Sequence, residues 1–369
     1  MSSETVLQKA LERCIEKRLT FAAFRIPGRP VQLWAQRDPG LETVDSTLLL
    51  GLNQVFLTAP FLLPQGRVPF IRSDIELMFA EIDPDISVLE ECEGSAVGPQ
   101  TAEKATSKAD FIQAVEAAKL ACRNKELDKV VLSRVLDMEV GTERLPGLFV
   151  GAMGANDRTM VAMVHTPEHG LWLRASPERL VHEELDHVRV DALAATRPAD
   201  AIPARLSGWG AKELDEQEKV MCHVHSTFAR MDLRNIVVRG PEVLEAGPVA
   251  HLHTTLEADL GDCILGELVL ALHPTPAVCG APTALARKFI NAHEQHQRSL
   301  YTGFWGPWNA DGPTELFVNL RCMHATPGNM QLYAGAGITA GSDAEMEWTE
   351  TTRKAGMWFG LLQRQQPAN

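Results

Sequence analysis

The chain has 369 residues, 45% of them hydrophobic and 22% charged, with a formal net charge of −13. That much apolar material is enough for a large core. The acidic balance argues against nucleic acid and anionic membrane surfaces, which bind basic patches, so an anionic ligand would need local cations or a metal ion. Seven scattered cysteines without C-x-x-C spacing imply a reducing compartment, with neither a disulfide framework nor a zinc cluster.

The N-terminal MSSETVLQKALERCIEKRL is polar and amphipathic, which does not fit a signal peptide, and no run of 18 apolar residues follows. A cytoplasmic location is expected. Short apolar runs with Pro/Gly punctuation up to residue 90 predict a helix and then several strands. Residues 91–108 read as a linker or long loop. Ser107 with Asp110 opens a capping-box-like signature before the amphipathic run DFIQAVEAAKLACRNKEL. The strand-like runs KVVLSRVLDMEV, TMVAMVHT, GLWLRAS, RLVHEEL and HVRVDALAAT come next, then helical patterns at 211–233 and 283–297. LYTGFWGPW, TELFVNLRCM and MQLYAGAG return to strands, and a last helix covers about 343–362. Meandering strands with interspersed helices indicate an α+β fold, antiparallel sheets covered by helices.

Several segments stand out chemically. Glu213 and Glu216 lie three apart in AKELDEQEKVM, and Glu347 and Glu350 in EMEWTETTRKAG. On two facing helices these glutamates would bring up to four carboxylates to one point. Like charges so gathered repel, and an oxygen-only set suits Mg²⁺; solvated helix faces, with Glu350–Lys354 an ordinary pair, are the plainer alternative. Lys129 shares a strand face with Val131, Ser133 and Val135, and is either a desolvated base or a snorkelling strand-end lysine. Glu178 follows a proline that fixes its turn. Arg321 lies in an otherwise apolar strand and would seek a carboxylate. YAGAGITAG, with Gly335, Gly337 and Gly341, departs from the dinucleotide fingerprint and reads as a strand end whose backbone N–H groups can face an anion. ALHPTPAVCGAP, residues 271–282, carries three prolines where neither a helix nor a central strand admits them.

Taken in order, KVVLSR, ASPERL, ALAATRP, KELDEQEKV, LHPTPAVCGAP, RSLYTGFWG, FVNLRC, YAGAGI and EWTETTRK resemble the chorismate-utilising enzymes over about residues 104–360. That group includes isochorismate synthase, anthranilate synthase component I, aminodeoxychorismate synthase and salicylate synthase. The L-H-P-T-P-A form resembles isochorismate synthase. Ala194 stands where aminodeoxychorismate synthases tend to have lysine. Tyr301 and Leu320 occur in salicylate synthases and in menaquinone-pathway isochorismate synthases, and Ala277 favours the isochorismate side. HEQHQRSLYTG and GSDAEMEWTE are most similar to the menaquinone-pathway branch.

The resemblance implies a sandwich of large antiparallel β-sheets covered by helices, with a strand-rich portion at 1–100 packed on a chorismate-binding catalytic domain at 104–362. It implies Lys129 as the base that activates water and Glu178 as the acid that protonates the departing hydroxyl, both tuned by an apolar pocket. Mg²⁺ would be held by Glu216 and Glu350, with Glu213 and Glu347 close by or acting through water. Arg321, Tyr301, Gly335, Lys354, His273, Ala277 and Thr196 would line the substrate site. The expected partner is chorismate alone, with no glutaminase subunit, and the expected state is a monomer. A salicylate synthase or a non-catalytic chorismate-binding homologue are the rivals. Two residues depart from the family pattern: Ala195 replaces the usual glycine of A-G-T-R-P, and Gln217 replaces a common histidine.

Overall fold

The structure is a computed structural model describing residues 3–98, 100–198, 202–203, 206–246, 249–309 and 312–364. Among these residues the helices are α1 (Ser3–Lys17), α2 (Lys108–Arg123), α3 (Leu145–Ala155), α4 (Ala211–Arg230), α5 (Leu265–Leu272), α6 (Thr283–His293) and α7 (Ala344–Arg364). The strands are β1 (Phe21–Arg25), β2 (Val31–Ala35), β3 (Glu42–Asp45), β4 (Val55–Ala59), β5 (Arg67–Arg72), β6 (Ile75–Phe79), β7 (Lys129–Met138), β8 (Met160–Thr166), β9 (Gly170–Ser176), β10 (Arg179–Glu184), β11 (His187–Pro198), β12 (Arg234–Ala246), β13 (Val249–Asp259), β14 (Gly280–Ala281), β15 (Phe304–Trp308), β16 (Thr314–Val318), β17 (Cys322–Thr326) and β18 (Asn329–Ile338). They form two nine-stranded sheets, β14-β7-β18-β17-β9-β8-β1-β2-β6 and β12-β13-β11-β10-β16-β15-β4-β5-β3. Every pairing is antiparallel, for example β7 with β18 and β11 with β13.

Side-chain alternation explains the layers. Along β8, Val161 and Met163 join the core under α1, α3 and α7, while Met160, Ala162 and Val164 face the other sheet. Along β16, Leu316 and Val318 pack with α4 and α5, while Phe317 points inward. Phe24, Trp34, Phe56 and Trp305 fill the space between the sheets. Strands covered on both faces read as nearly continuous apolar runs, as MVAMVHT does. The α+β sandwich covered by helices is therefore present. Strands before residue 100 extend both sheets, through β1 beside β8 and β4 beside β15. Ser107 caps α2 as expected, its hydroxyl accepting from the Asp110 N–H.

One apolar run, TELFVNLRCM, behaves differently from the sequence expectation. It leaves one sheet and enters the other, as the chain also does at the expected turn between GLWLRAS and RLVHEEL. β9 belongs to the first sheet and β10 to the second, with Pro177–Glu178 between them; β16 and β17 are likewise split at Asn319–Arg321. Arg321 is thus a crossover residue, with φ 47, rather than part of a strand. The break is fixed from elsewhere: the Asn319 side chain donates to the Leu300 carbonyl, and the Asn319 N–H to that of Gly303. The two crossovers lie side by side, since the Val318 N–H donates to the Glu178 carbonyl and that of Ala175 to Arg321.

Candidate active site

The crossovers open onto a cleft whose opposite wall is α4, α7 and the glycine-bearing end of β18. Glu178, Glu216, Tyr301, Arg321, Glu350 and Lys354 line it, together with Gly335 and Ala277. No helix among the described residues is long and apolar enough to cross a membrane.

Lys129, at the start of β7, is fully buried, and its Nζ donates to Glu216 Oε1 at 2.5 Å. The expected apolar surround is therefore interrupted by a carboxylate. β14 holds the backbone of this lysine. Gly280 has φ 137, and a Cβ there would come within 2.3 Å of the Lys129 carbonyl oxygen, so only glycine allows β14 so close. Asp128 and Val131 donate their N–H groups to the carbonyls of Ala281 and Cys279. The proline-rich stretch thus acts as an edge brace for the lysine strand.

Glu178 is 4% exposed, and burial pushes its carboxyl up to about 8, with Lys129 opposing and Asp191 adding to the rise. Arg321 is pulled down to about 10 by burial, against the attraction of Glu178, and stays cationic at neutral pH. Its Nη2 lies 3.1 Å from His251 Nε2. A guanidinium only donates, so that nitrogen accepts; burial, with Arg321 and Lys354 nearby, holds His251 well below its ordinary range and neutral.

The glycines of YAGAGI make room. A Cβ on Gly335 would meet the Tyr301 hydroxyl at 2.8 Å, and one on Gly337 would meet Glu216 Oε1 at 2.7 Å and Lys129 Cε at 2.9 Å. Lys354 Nζ donates to the Gly335 carbonyl at 2.9 Å and pairs with Glu350 at 2.7 Å.

The four helix glutamates do not converge on one point. Each takes a cation: Glu213 pairs with Arg197, Glu216 with Lys129, Glu347 with Lys212 and Glu350 with Lys354. Among the described residues, no group of three or more His, Cys, Asp or Glu side chains is placed to hold a metal ion. Glu216 and Glu350 nevertheless both face the cleft. Partial desolvation opposes the charge on Lys212, yet Glu347, aided by Glu216 and Glu350, holds it above its ordinary range. Glu347 itself is raised by burial and by Glu350. This concentration of carboxylate charge, with oxygen-only donors, fits a hard divalent cation.

Other expectations need correction or narrowing. His273 does not line the cleft; its Nε2 donates to the Phe61 carbonyl at 3.2 Å, its ring packs edge-on to Phe304, and burial lowers it to about 4. The β11 backbone carries Thr196 opposite His251, but the Thr196 side chain lies outside the described residues. Ala195 is the extra residue of a β-bulge, with φ 58, and packs in a small cluster with Trp209 and Leu252. Gln217 sits outside the cleft lining, and its Nε2 ties α4 to the Ala192 carbonyl and to Thr254. Gly337, from the strand end read as able to face an anion, lines the cleft, and so do His251 and Tyr333, which were not singled out for it. For His251 the available signal was a histidine within the alternating strand VAHLHTTL.

Comparison with known proteins adds to this geometry. Residues 55–362 match the family model described as "Chorismate binding enzyme". Isochorismate synthase MenF of Escherichia coli K12 is 33% identical over 268 residues, covering 69% of this chain and 61% of that protein. Isochorismate synthase DhbC of Bacillus subtilis 168 is 32% identical over 263 residues, covering 66% and 65%. The matches thus span less than two thirds of either relative's length, and the near-equal identities favour neither over the other, so they do not carry the expected menaquinone-pathway branch. The crystal structure of a putative 2,3-dihydroxybenzoate-specific isochorismate synthase, DhbC from Bacillus anthracis, superposes with a TM-score of 0.78 at 24% identity, over 96% of this chain and 99% of that one.

Proposed function

The chain belongs to the chorismate-binding enzyme family, and we propose that it is an isochorismate synthase, a Mg²⁺-dependent isomerase acting on chorismate. The observation that carries this reading is the pairing of a buried lysine with a buried, proton-holding carboxyl at one cleft: Lys129, 0% exposed beside the lining residue Glu216, and Glu178, 4% exposed. In the proposed reaction water attacks C2 of chorismate and the C4 hydroxyl departs. One group must take a proton and another must give one.

Glu178 is the donor. With its carboxyl pushed up to about 8 it keeps its proton at neutral pH and can pass it to the leaving oxygen. Lys129 is the acceptor. It acts in its neutral form, having given its own proton to solvent, and Glu216 Oε1, at 2.5 Å, holds its Nζ beside the cleft. Arg321 and Lys354 supply positive charge for the substrate carboxylates, with Tyr301 and the Gly335 backbone beside them. Glu216 and Glu350 would hold Mg²⁺, which when bound supplies charge neutralisation for an anionic substrate. All the cleft-lining residues fall between Val131 and Lys354, which supports 104–362 as the catalytic portion. Ala277 lines the cleft and favours release of isochorismate over onward conversion to salicylate.

Incubation with chorismate and Mg²⁺, followed by chromatography, tests the reading. Isochorismate is expected, with no aminated product when ammonia is added. Salicylate or anthranilate as the main product would move the chain to another branch, and no turnover would refute the reading.

A further inference from the structure

The segment His293–Gly303, HEQHQRSLYTG, leads from the end of α6 to β15 and carries two buried charges that do not line the cleft. The side chains of Glu294 and Arg298 are 3% and 2% exposed and pair at 2.6 Å. The remaining donors of the guanidinium reach three other places. Nη2 donates to the Val131 carbonyl at 2.7 Å, and Nη1 to the Val278 carbonyl at 2.9 Å and to Thr302 Oγ1 at 3.3 Å. The guanidinium also lies 4.6 Å from the Phe61 ring centroid and 5.7 Å from that of Tyr301. Glu294 in turn accepts from the Ser133 N–H at 2.7 Å and from its hydroxyl at 2.9 Å.

Three of the groups so tied belong to the cleft lining: Val131 on the lysine strand, Val278 beside Ala277, and Tyr301. They come from three separate stretches of chain. A buried ion pair is weakly favourable at best compared with an apolar core of the same volume, so stability alone gives little reason for one here. A planar fork of five N–H donors, however, can meet carbonyls of two different segments while staying bonded to a carboxylate. We propose that Glu294 and Arg298 are positioning residues: the pair holds the Lys129 strand, the Ala277 turn and the Tyr301 turn in register and so sets the shape of the substrate-facing wall. The inference rests on reading the cleft as the chorismate site.

Arg298→Lys keeps the charge but loses the fork, and Glu294→Gln keeps the shape but loses the charge. Leu148→Ala, in the core under α3, is the control for general destabilisation. Arg298→Lys is expected to raise the KM for chorismate about tenfold or more and to speed amide hydrogen exchange in peptides covering 129–135 and 275–281. Leu148→Ala is expected to lower the melting temperature without either effect. Glu294→Gln, which leaves the buried Arg298 charge without its counter-ion and turns one accepting oxygen into a donor, is expected to raise KM and speed exchange in the same two segments. If Arg298→Lys does not fold, Glu294→Ala takes its place in both measurements. Wild-type KM and wild-type exchange in those two segments would overturn the proposal. The exchange readout needs no substrate, so a wild-type chain that does not turn over chorismate would refute the proposed function while leaving this inference to be judged by exchange alone.

Discussion

The two walls of the cleft hold their charges in different ways. On the crossover wall, Glu178 and Arg321 sit where the chain passes from one sheet to the other, and backbone hydrogen bonds between the crossovers fix them. Burial there moves both proton affinities toward the neutral form, to about 8 and about 10. On the helix wall, Glu213, Glu216, Glu347 and Glu350 each face a lysine or arginine within 2.9 Å. One wall is rigid and desolvated, which suits holding a proton at a set place. The other is neutralised pair by pair, by Arg197, Lys129, Lys212 and Lys354, which suits exchanging a partner when a metal ion or an anionic substrate arrives.

The largest effect that would break this contrast is at Lys129, which stands between the walls. Lys129→Ala is expected to lower kcat by about 10³–10⁴-fold, as loss of a base and of a buried counter-charge together; steady-state rates near wild type would remove the base assignment. Glu178→Gln is expected to cost about 10²–10⁴-fold with little change in fold, because the amide has no proton to give. The sign of the pH dependence follows. The active form is protonated Glu178, so activity is expected to fall as pH rises through about 8, and that limb should be missing from the residual rate of the glutamine variant. A pH–rate profile flat across this range would show that the crossover wall does not hold the working proton.

The helix wall predicts smaller, metal-linked effects. Glu350→Gln is expected to raise the Mg²⁺ concentration for half-maximal activity about 10–100-fold, whereas Glu213→Gln, facing Arg197, is expected to shift it less than about threefold. Equal shifts in a Mg²⁺ titration would erase the distinction between the glutamates. Gly335→Ala tests the packing beneath the cleft. Its methyl would push on the Tyr301 hydroxyl at 2.8 Å, and KM for chorismate is expected to rise about tenfold with kcat less affected. The smallest effect is at Ala195. Relief of its left-handed backbone and loss of its contact with Trp209 and Leu252 nearly cancel, so Ala195→Gly should change stability by about 1 kcal/mol or less in thermal unfolding.

Much of this was readable from local pattern. Alternation in KVVLSRVLDMEV and TMVAMVHT marks strands, Ser107 marks the start of α2, and the ordered motifs bring Lys129, Glu178, Glu216 and Arg321 to one place. What local pattern does not carry is partner choice over long range. TELFVNLRCM reads as one strand because nothing in its ten residues shows that Asn319 bonds Leu300 and Gly303 and turns the chain into the other sheet. Helical spacing places Glu213 and Glu216 on one face, but only the fold shows that Arg197 reaches the first and Lys129 the second. His273 looked like a pocket residue by its neighbours Pro274 and Ala277, yet its ring turns toward Phe61, an N-terminal residue with no motif of its own.

Turnover of chorismate in ¹⁸O-labelled water, followed by mass spectrometry of the product, tests the central claim most directly. Water activated at Lys129 and loss of the C4 hydroxyl through Glu178 predict isochorismate carrying one solvent oxygen, on C2. Isochorismate without solvent oxygen would contradict the assignment of base and acid, and the absence of isochorismate would contradict the proposed activity itself.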